Sequence, residues 1–157
     1  MLPLVPFYFL RHGETDWNRD RRLQGQIDIP LNATGETQAQ TARAVAATLG
    51  LKSIAASSLS RARRTAEIVN DGLGLGVTEF TDLREFGCGP YEGSTDGSWL
   101  EDWHADRIVA GPESFDAFRA RVGAAMLVAL RLDPPVLIVA HGGVFWALQH
   151  LLGFAET

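Results

Sequence analysis

The chain of 157 residues predicts an α/β fold, a three-layer α/β/α sandwich around a mostly parallel central sheet. Three observations carry that prediction. Short apolar runs alternate with stretches of helical periodicity, the signature of strands and helices packed in layers. Val136 to Ala140 is a continuous β-branched and apolar run, the pattern of a parallel strand buried on both faces. And two apolar runs at opposite ends of the chain each lead straight into a histidine followed by glycine: Phe9-Leu10-Arg11-His12-Gly13 and Val139-Ala140-His141-Gly142-Gly143.

The elements follow in order. Phe7 to Leu10 reads as a short buried strand, with Pro6 at its start, where no ladder donor is missed. The apolar stretch from Met1 lacks a basic leader and a small-residue cleavage pattern, so it reads as part of this strand and not as a signal peptide. Asp16 to Leu31 is polar and glycine-punctuated and predicts a loop. Thr34 is positioned to N-cap a helix to about Leu49, with Ala39, Ala42, Val45, Ala46 and Leu49 on one face and Gly50 as its stop. Ser53 to Ser57 predicts a strand, and Leu59 to Asn70 a helix closed by Gly72, Gly74 and Gly76.

Val77 to Phe86 reads as strand and then loop. Gly87 to Pro112 is rich in glycine and aromatics, with a short helix expected over Ser98 to Ile108. Ser114 caps a helix carrying Phe115, Phe118, Val122, Met126 and Leu130 on one face, ended by Asp133-Pro134-Pro135. Val136 to Ala140 is the last strand, and Gly143 to about Leu152 the last helix. Nothing resembles a linker or repeat, so a single domain over residues 1–157 is expected, with a short pocket-covering insertion at about 87–112.

Composition narrows the function. The apolar fraction is 46% and the charged fraction 21%, ordinary for a soluble globular protein long enough to bury a real core. A net charge of −5 argues against a nucleic-acid partner, which would need a basic face. The arginines nevertheless cluster, as Arg11, Arg19, Arg21 and Arg22 and again as Arg61, Arg63 and Arg64, which suits a small anionic ligand. No apolar run is long enough to span a bilayer, so no membrane partner is expected. Cys88 is the only cysteine; no intrachain disulfide can form, and a cytoplasmic location is expected.

In open α/β sheets ligands bind beyond the carboxyl ends of the strands, where His12 and His141 both fall. The glycines after them let backbone N–H groups approach a ligand, and the last helix adds its positive end. Arg61 sits in the first turn of its helix, where a cation is unfavourable unless an anion compensates. Arg63 and Arg64 read as solvated surface residues. His104 and His150 have no metal-ligand partners at suitable spacing and read as surface residues too. Cys88 lies outside any Cys-x5-Arg loop, and there is no Gly-x4-Gly-Lys phosphate loop. No metal or other cofactor is expected.

These residues resemble the histidine phosphatase superfamily, which includes the cofactor-dependent phosphoglycerate mutases. The likeness rests on Arg11-His12-Gly13-Glu14-Thr15 with Trp17-Asn18, on Pro30-Leu31-Asn32 with Gly35 and Gln38-Ala39, and on Ser58-Leu59-Ser60-Arg61-Ala62 with Thr65-Ala66. It continues through Leu83-Arg84-Glu85-Phe86-Gly87 with Glu92-Gly93, Gly111-Pro112-Glu113-Ser114 and Ala140-His141-Gly142-Gly143. The resemblance implies a phosphoglycerate mutase-like fold and a metal-independent phosphatase acting on a small phosphorylated metabolite. His12 would be the nucleophile that forms a phosphohistidine, its other nitrogen held by a backbone carbonyl. Arg11, Arg61 and His141 would hold the phosphoryl oxygens, and Glu85 would act as acid and then base. Asn18, Thr15, Gln24 and Gly142 would complete the phosphate and substrate contacts. Glu14, Asp82 and Glu92 read as structural carboxylates.

Two departures shape the expectation. The stretch between Glu85 and His141 is short for this family, which favours hydrolysis over mutase action because a mutase must shield its phosphoenzyme from water. Trp99 and Trp103, four apart, either wall the pocket or, as such pairs more often do, pack against the core. The sequence ends at Thr157, where relatives commonly add a strand, so either the sheet lacks an edge strand or the sequence is cut short there; a monomer or homodimer is expected. A phosphoglycerate mutase and a non-catalytic phospho-ligand binding module are the alternatives.

Overall fold

The computed structural model describes residues 2–107 and 109–153. Strands β1 (Phe7–Arg11), β2 (Ser53–Ser57), β3 (Thr78–Phe80) and β4 (Val136–Ala140) form one sheet in the order β1-β4-β2-β3, every pairing parallel. The helices are α1 (Asp16–Arg19), α2 (Ala33–Ala46), α3 (Ser60–Asn70), α4 (Leu100–His104), α5 (Phe115–Ala129) and α6 (Gly142–Leu151).

The central strands show why the sheet is covered on both sides. Leu137 and Val139 of β4, with Ile54 and Ala56 of β2, pack against Ala62, Ala66 and Val69 of α3 and Ala46 of α2. Val136, Ile138 and Ala140 of β4, with Ala55 of β2, face the opposite way, into Phe118, Val122 and Met126 of α5 and Val144 and Leu148 of α6. Side chains alternate along a strand, so an unbroken apolar run serves two layers at once. Each Val, Leu or Ile fully buried in this way contributes roughly 1.5–3 kcal/mol.

Several expectations are corrected at element ends. Residues 16–31 are not all loop: Thr15 and Asn18 form a capping box that nucleates α1. The N-cap of α2 is Asn32, whose Oδ1 accepts from Gly35 N at 2.9 Å, and not Thr34. That helix ends at Ala46, and Val45 points outward, 59% exposed. The helix expected over Ser98 to Ile108 is reduced to α4, and Ile108 itself lies outside the described residues.

Trp99 and Trp103 belong to the core. Trp103 packs between Phe86 and Phe115 and donates its indole N–H to Glu113 O at 2.6 Å. His104 is not a plain surface residue either: its ring meets the edge of Trp146 at a centroid distance of 4.3 Å. His150, on the exposed side of α6, stands edge-on to Phe115.

Candidate active site

The sheet itself brings the two histidines together. Arg11 of β1 lies opposite Ala140 of β4, and the ladder continues one step further as His12 N donates to Ala140 O at 3.0 Å. His12 and His141 therefore emerge on neighbouring strands, with ring centroids 5.2 Å apart. The first turn of α2 fixes the loop beneath them. Gly13 and Gly35 approach so closely that a Cβ on either would collide with backbone atoms, Gly35 O in one case and Glu14 O in the other. Gly13 N donates to Thr65 Oγ1 at 3.0 Å, and that hydroxyl donates to Arg61 O at 2.7 Å, tying the loop to α3.

His12 is 8% exposed, and its Nδ1 lies 2.6 Å from Gly13 O. A carbonyl can only accept, so Nδ1 carries the proton and Nε2 keeps its lone pair. Burial, together with the Arg61 and Arg11 cations, pulls the pKa of His12 down to about 3. The ring is neutral at physiological pH.

Arg61 is 1% exposed and donates to Ile27 O at 2.8 Å and to Gly25 O at 2.9 Å; its Nε has no partner among the described residues. Burial lowers its pKa, yet a guanidinium remains charged under all ordinary conditions. Asp28 supplies the missing cap of this helix from another loop, its Oδ1 accepting from Ser60 N at 2.8 Å.

Glu85 approaches from the segment after β3. Its Oε2 accepts from Gly143 N, and its Oε1 from Phe86 N, both at 3.1 Å. A Cβ at position 143 would collide with Glu85 Oε1, so the glycine is what admits the carboxyl. Burial raises the pKa of Glu85, outweighing the two backbone donors and the nearby Arg61 and Arg11. Arg121 of α5 holds the backbone behind it, donating to Asp82 O at 2.8 Å and Arg84 O at 3.0 Å while pairing with Glu113 at 2.7 Å.

These groups surround a cavity of about 160 Å³. Of the residues singled out from the sequence, Arg11, His12, Asn18, Gln24, Arg61, Glu85 and Gly142 line it. Thr15 does not: it is fully buried, and its hydroxyl donates to Gln24 Oε1 at 2.8 Å, so it bears on the cavity through Gln24 and Asn18. His141 is fully buried and is not part of the lining either; its Nε2 lies 2.8 Å from Ser57 Oγ. Cys88 lines the cavity as a thiol that burial pushes up to about 12. Glu14 accepts from Asn32 and Glu92 from Gln26 N, roles within the loops, and Arg63 and Arg64 make only surface ion pairs.

Sequence reasoning did not anticipate Ser57, Arg121, or Leu100 and Trp146 on the cavity wall, and it read Arg22, also on that wall, only as one of an arginine cluster. For Ser57 a signal existed. It closes a strand adjacent to β4, and one step beyond the pairing of Ala56 with Val139 it falls level with Ala140, within reach of the next residue, His141. A larger cleft of about 630 Å³ lies over α5 and α6 but contains neither His12 nor His141. What the smaller cavity offers chemically is a neutral imidazole with a free lone pair, a buried and anchored Arg61 with the more exposed Arg11 beside it, and a carboxyl biased toward its acid form. That set suits nucleophilic attack on an anionic phosphoryl group with proton delivery to the leaving oxygen.

Comparison with known proteins gives the same direction. Residues 7–156 match the family model of the histidine phosphatase superfamily, branch 1. The chain is 40% identical over 144 residues to an uncharacterized phosphatase, PhoE, of Bacillus subtilis, covering 88% of this chain and 72% of that protein. It is 38% identical over 151 residues to a probable phosphoglycerate mutase, GpmB, of Citrobacter koseri, covering 88% of this chain and 70% of that one. Among solved structures it resembles a mycobacterial glucosyl-3-phosphoglycerate phosphatase with a TM-score of 0.79 and 32% identity, over 94% of this chain and 79% of that one. With its loops, histidines and acid arranged on a parallel sheet in this way, the chain belongs to the histidine phosphatase superfamily.

Proposed function

We propose that the chain, working as one catalytic unit, hydrolyses a small phosphomonoester through a phosphohistidine on His12. The observation that carries this reading is the pairing of His12, neutral with Nε2 free, with Glu85, half-buried and biased toward its acid form, across one small cavity. Nε2 attacks phosphorus as the bond to the leaving oxygen breaks, and Glu85 gives its proton to that oxygen. The alcohol departs. Glu85, now a carboxylate, takes a proton from water; the hydroxide attacks phosphorus and the N–P bond breaks. Inorganic phosphate leaves, with His12 neutral and Glu85 protonated again.

Arg11 and Arg61 balance the charge on the phosphoryl oxygens, because a planar guanidinium can serve two oxygens at once. Asn18, Gln24 and the backbone at Gly142 complete the wall. Hydrolysis is favoured over mutase action by the short cover between Glu85 and His141, which leaves room for water near the phosphoenzyme. The similarity to a probable phosphoglycerate mutase supports transfer to a second hydroxyl as the alternative outcome of the same phosphoenzyme.

The net charge of −5 and the lone buried thiol of Cys88 support a metabolite partner, not nucleic acid, and a reducing cytoplasm. No described helix is long and apolar enough to cross a membrane. The test is release of p-nitrophenol from p-nitrophenyl phosphate with excess chelator present, for wild type and His12→Ala. Release that survives the chelator and is lost in the variant supports hydrolysis. Tight phosphate binding without turnover on any phosphomonoester would make the chain a binding module instead, and phosphate moving between positions of one substrate would make it a mutase.

A further inference from the structure

We infer that Ser57 is a positioning residue that holds His141 as the neutral Nδ1–H tautomer, so that His141 meets a phosphoryl oxygen with an N–H and not with a lone pair. The inference rests on the phosphatase reading of this site and extends it to a residue outside the cavity wall.

Ser57 is the last residue of β2 and is fully buried. Its Oγ accepts from Leu59 N at 3.3 Å and lies 2.8 Å from His141 Nε2. A hydroxyl has one proton to give and two lone pairs to receive with. Leu59 uses one lone pair. Were Nε2 protonated and donating to Oγ, the hydroxyl proton would need an acceptor elsewhere, and the hydrogen bonds among the described residues offer it none. With the hydroxyl donating to Nε2, every group on Ser57 is satisfied. The single proton of the neutral imidazole then sits on Nδ1.

Nδ1 is buried and has no hydrogen-bond partner among the described residues. Groups of this kind are rare in folded proteins, and those that occur call for an explanation. Here one is at hand. His141 stands beside His12, and burial, together with the charges of Arg61 and Arg11, keeps its ring neutral. A phosphoryl group held by those cations presents only acceptors. An N–H at Nδ1 matches it, whereas a lone pair there would repel it.

The two histidines are thus set in opposite senses by different partners. Gly13 O takes the Nδ1 proton of His12 and leaves a lone pair on Nε2, as attack requires. Ser57 fills Nε2 of His141 and leaves a proton on Nδ1, as charge stabilisation requires. Strand register sets up this arrangement: β2 and β4 are neighbours, Ser57 falls level with Ala140, and its hydroxyl reaches the histidine that follows.

The experiment is long-range ¹H–¹⁵N correlation of the histidine side chains at neutral pH, with kcat and KM for p-nitrophenyl phosphate, for wild type, Ser57→Ala and Ser57→Cys. The wild type is expected to show His141 wholly as the Nδ1–H form. Ser57→Ala should populate the Nε2–H form and lower kcat/KM about 10–100-fold, the range known for removing the partner that orients a metal-ligating histidine. Ser57→Cys, which keeps a donor, should recover part of both.

An Nε2–H form of His141 in the wild type overturns the inference, and that reading requires no variant to fold. An unchanged tautomer and rate in Ser57→Ala overturn it equally. Wild-type turnover in either case leaves the phosphatase reading standing. A wild type that turns over no phosphomonoester overturns that reading instead, while the tautomer, measured without substrate, still decides the role of Ser57.

Discussion

Glu85 is the residue on which the pH dependence turns. Its carboxyl must be protonated to serve the leaving oxygen, and burial raises its pKa above the ordinary glutamate value. The acid form therefore persists toward neutrality, and kcat/KM should fall as pH rises through that raised pKa. Glu85→Gln cannot deliver a proton: kcat should drop about 10²–10⁴-fold for an alkyl phosphate and the alkaline limb should vanish. The loss should be much smaller for p-nitrophenyl phosphate, whose leaving group needs little help. Rate profiles of both proteins on the two substrates check this, and an alkaline limb surviving in the variant would remove Glu85 from the role. Glu85 was legible in the sequence only through the resemblance of its motif, as was Asn18. His12, His141 and Arg61 were legible from their places after strands and in a first helical turn. Arg121 was not, because one arginine on an amphipathic helix looks like any solvated residue until its reach to the carbonyls of Asp82 and Arg84 is seen.

At the scale of elements, the meeting of α2 with the loop after β1 sets the position of the nucleophile. Gly35 in the first turn of α2 lies against the backbone of Gly13 and Glu14, closer than any side chain allows. Gly35→Ala should destabilise the fold by about 1–3 kcal/mol, the usual cost of forcing a group into a packed site, and should lower kcat by displacing His12. Denaturant unfolding with kinetics on the same preparation checks it; unaltered stability and rate would mean that this contact does not hold the loop. Strand existence and helix faces were legible in the sequence because burial on both sides of β4 leaves an unbroken apolar run. Element ends were less so. The choice of Asn32 over Thr34 as the cap of α2 depends on which side chain reaches Gly35 N, and the pairing of Thr15 with Asn18 turned an expected loop into α1.

For the whole molecule, the buried histidines make stability depend on pH. The pKa of His12 is about 3 in the fold against roughly 6.5 when unfolded, and that of His141 is also well below its ordinary value. Between those values the unfolded chain binds more protons, so this stability is fully present above about pH 6.5 and is lost as pH falls toward 3. Glu85 acts in the opposite sense: its raised pKa favours the folded state at low pH and yields that advantage as pH rises above its unfolded value. Two imidazoles against one carboxyl should leave the protein more stable near pH 7.5 than near pH 5, as a higher Tm. Equal or reversed melting temperatures would contradict the burial of both rings in neutral form. The layer architecture was legible in the sequence as a whole. The compact aromatic packing of Phe86, Trp99, Trp103, Phe115 and Phe118 was not, since Trp99 and Trp103 at helical spacing fit a pocket wall as well as the core they occupy.

Covalent phosphoryl transfer to His12 is the step on which hydrolysis depends. Rapid acid-free quenching of wild type with a ³²P-labelled phosphomonoester, followed by peptide mapping, tests it directly. The expected result is label that is stable to base, lost in acid, confined to the peptide containing His12 and absent from His12→Ala. Turnover by the wild type with no label trapped in the pre-steady state, or with label on any other residue, would contradict it.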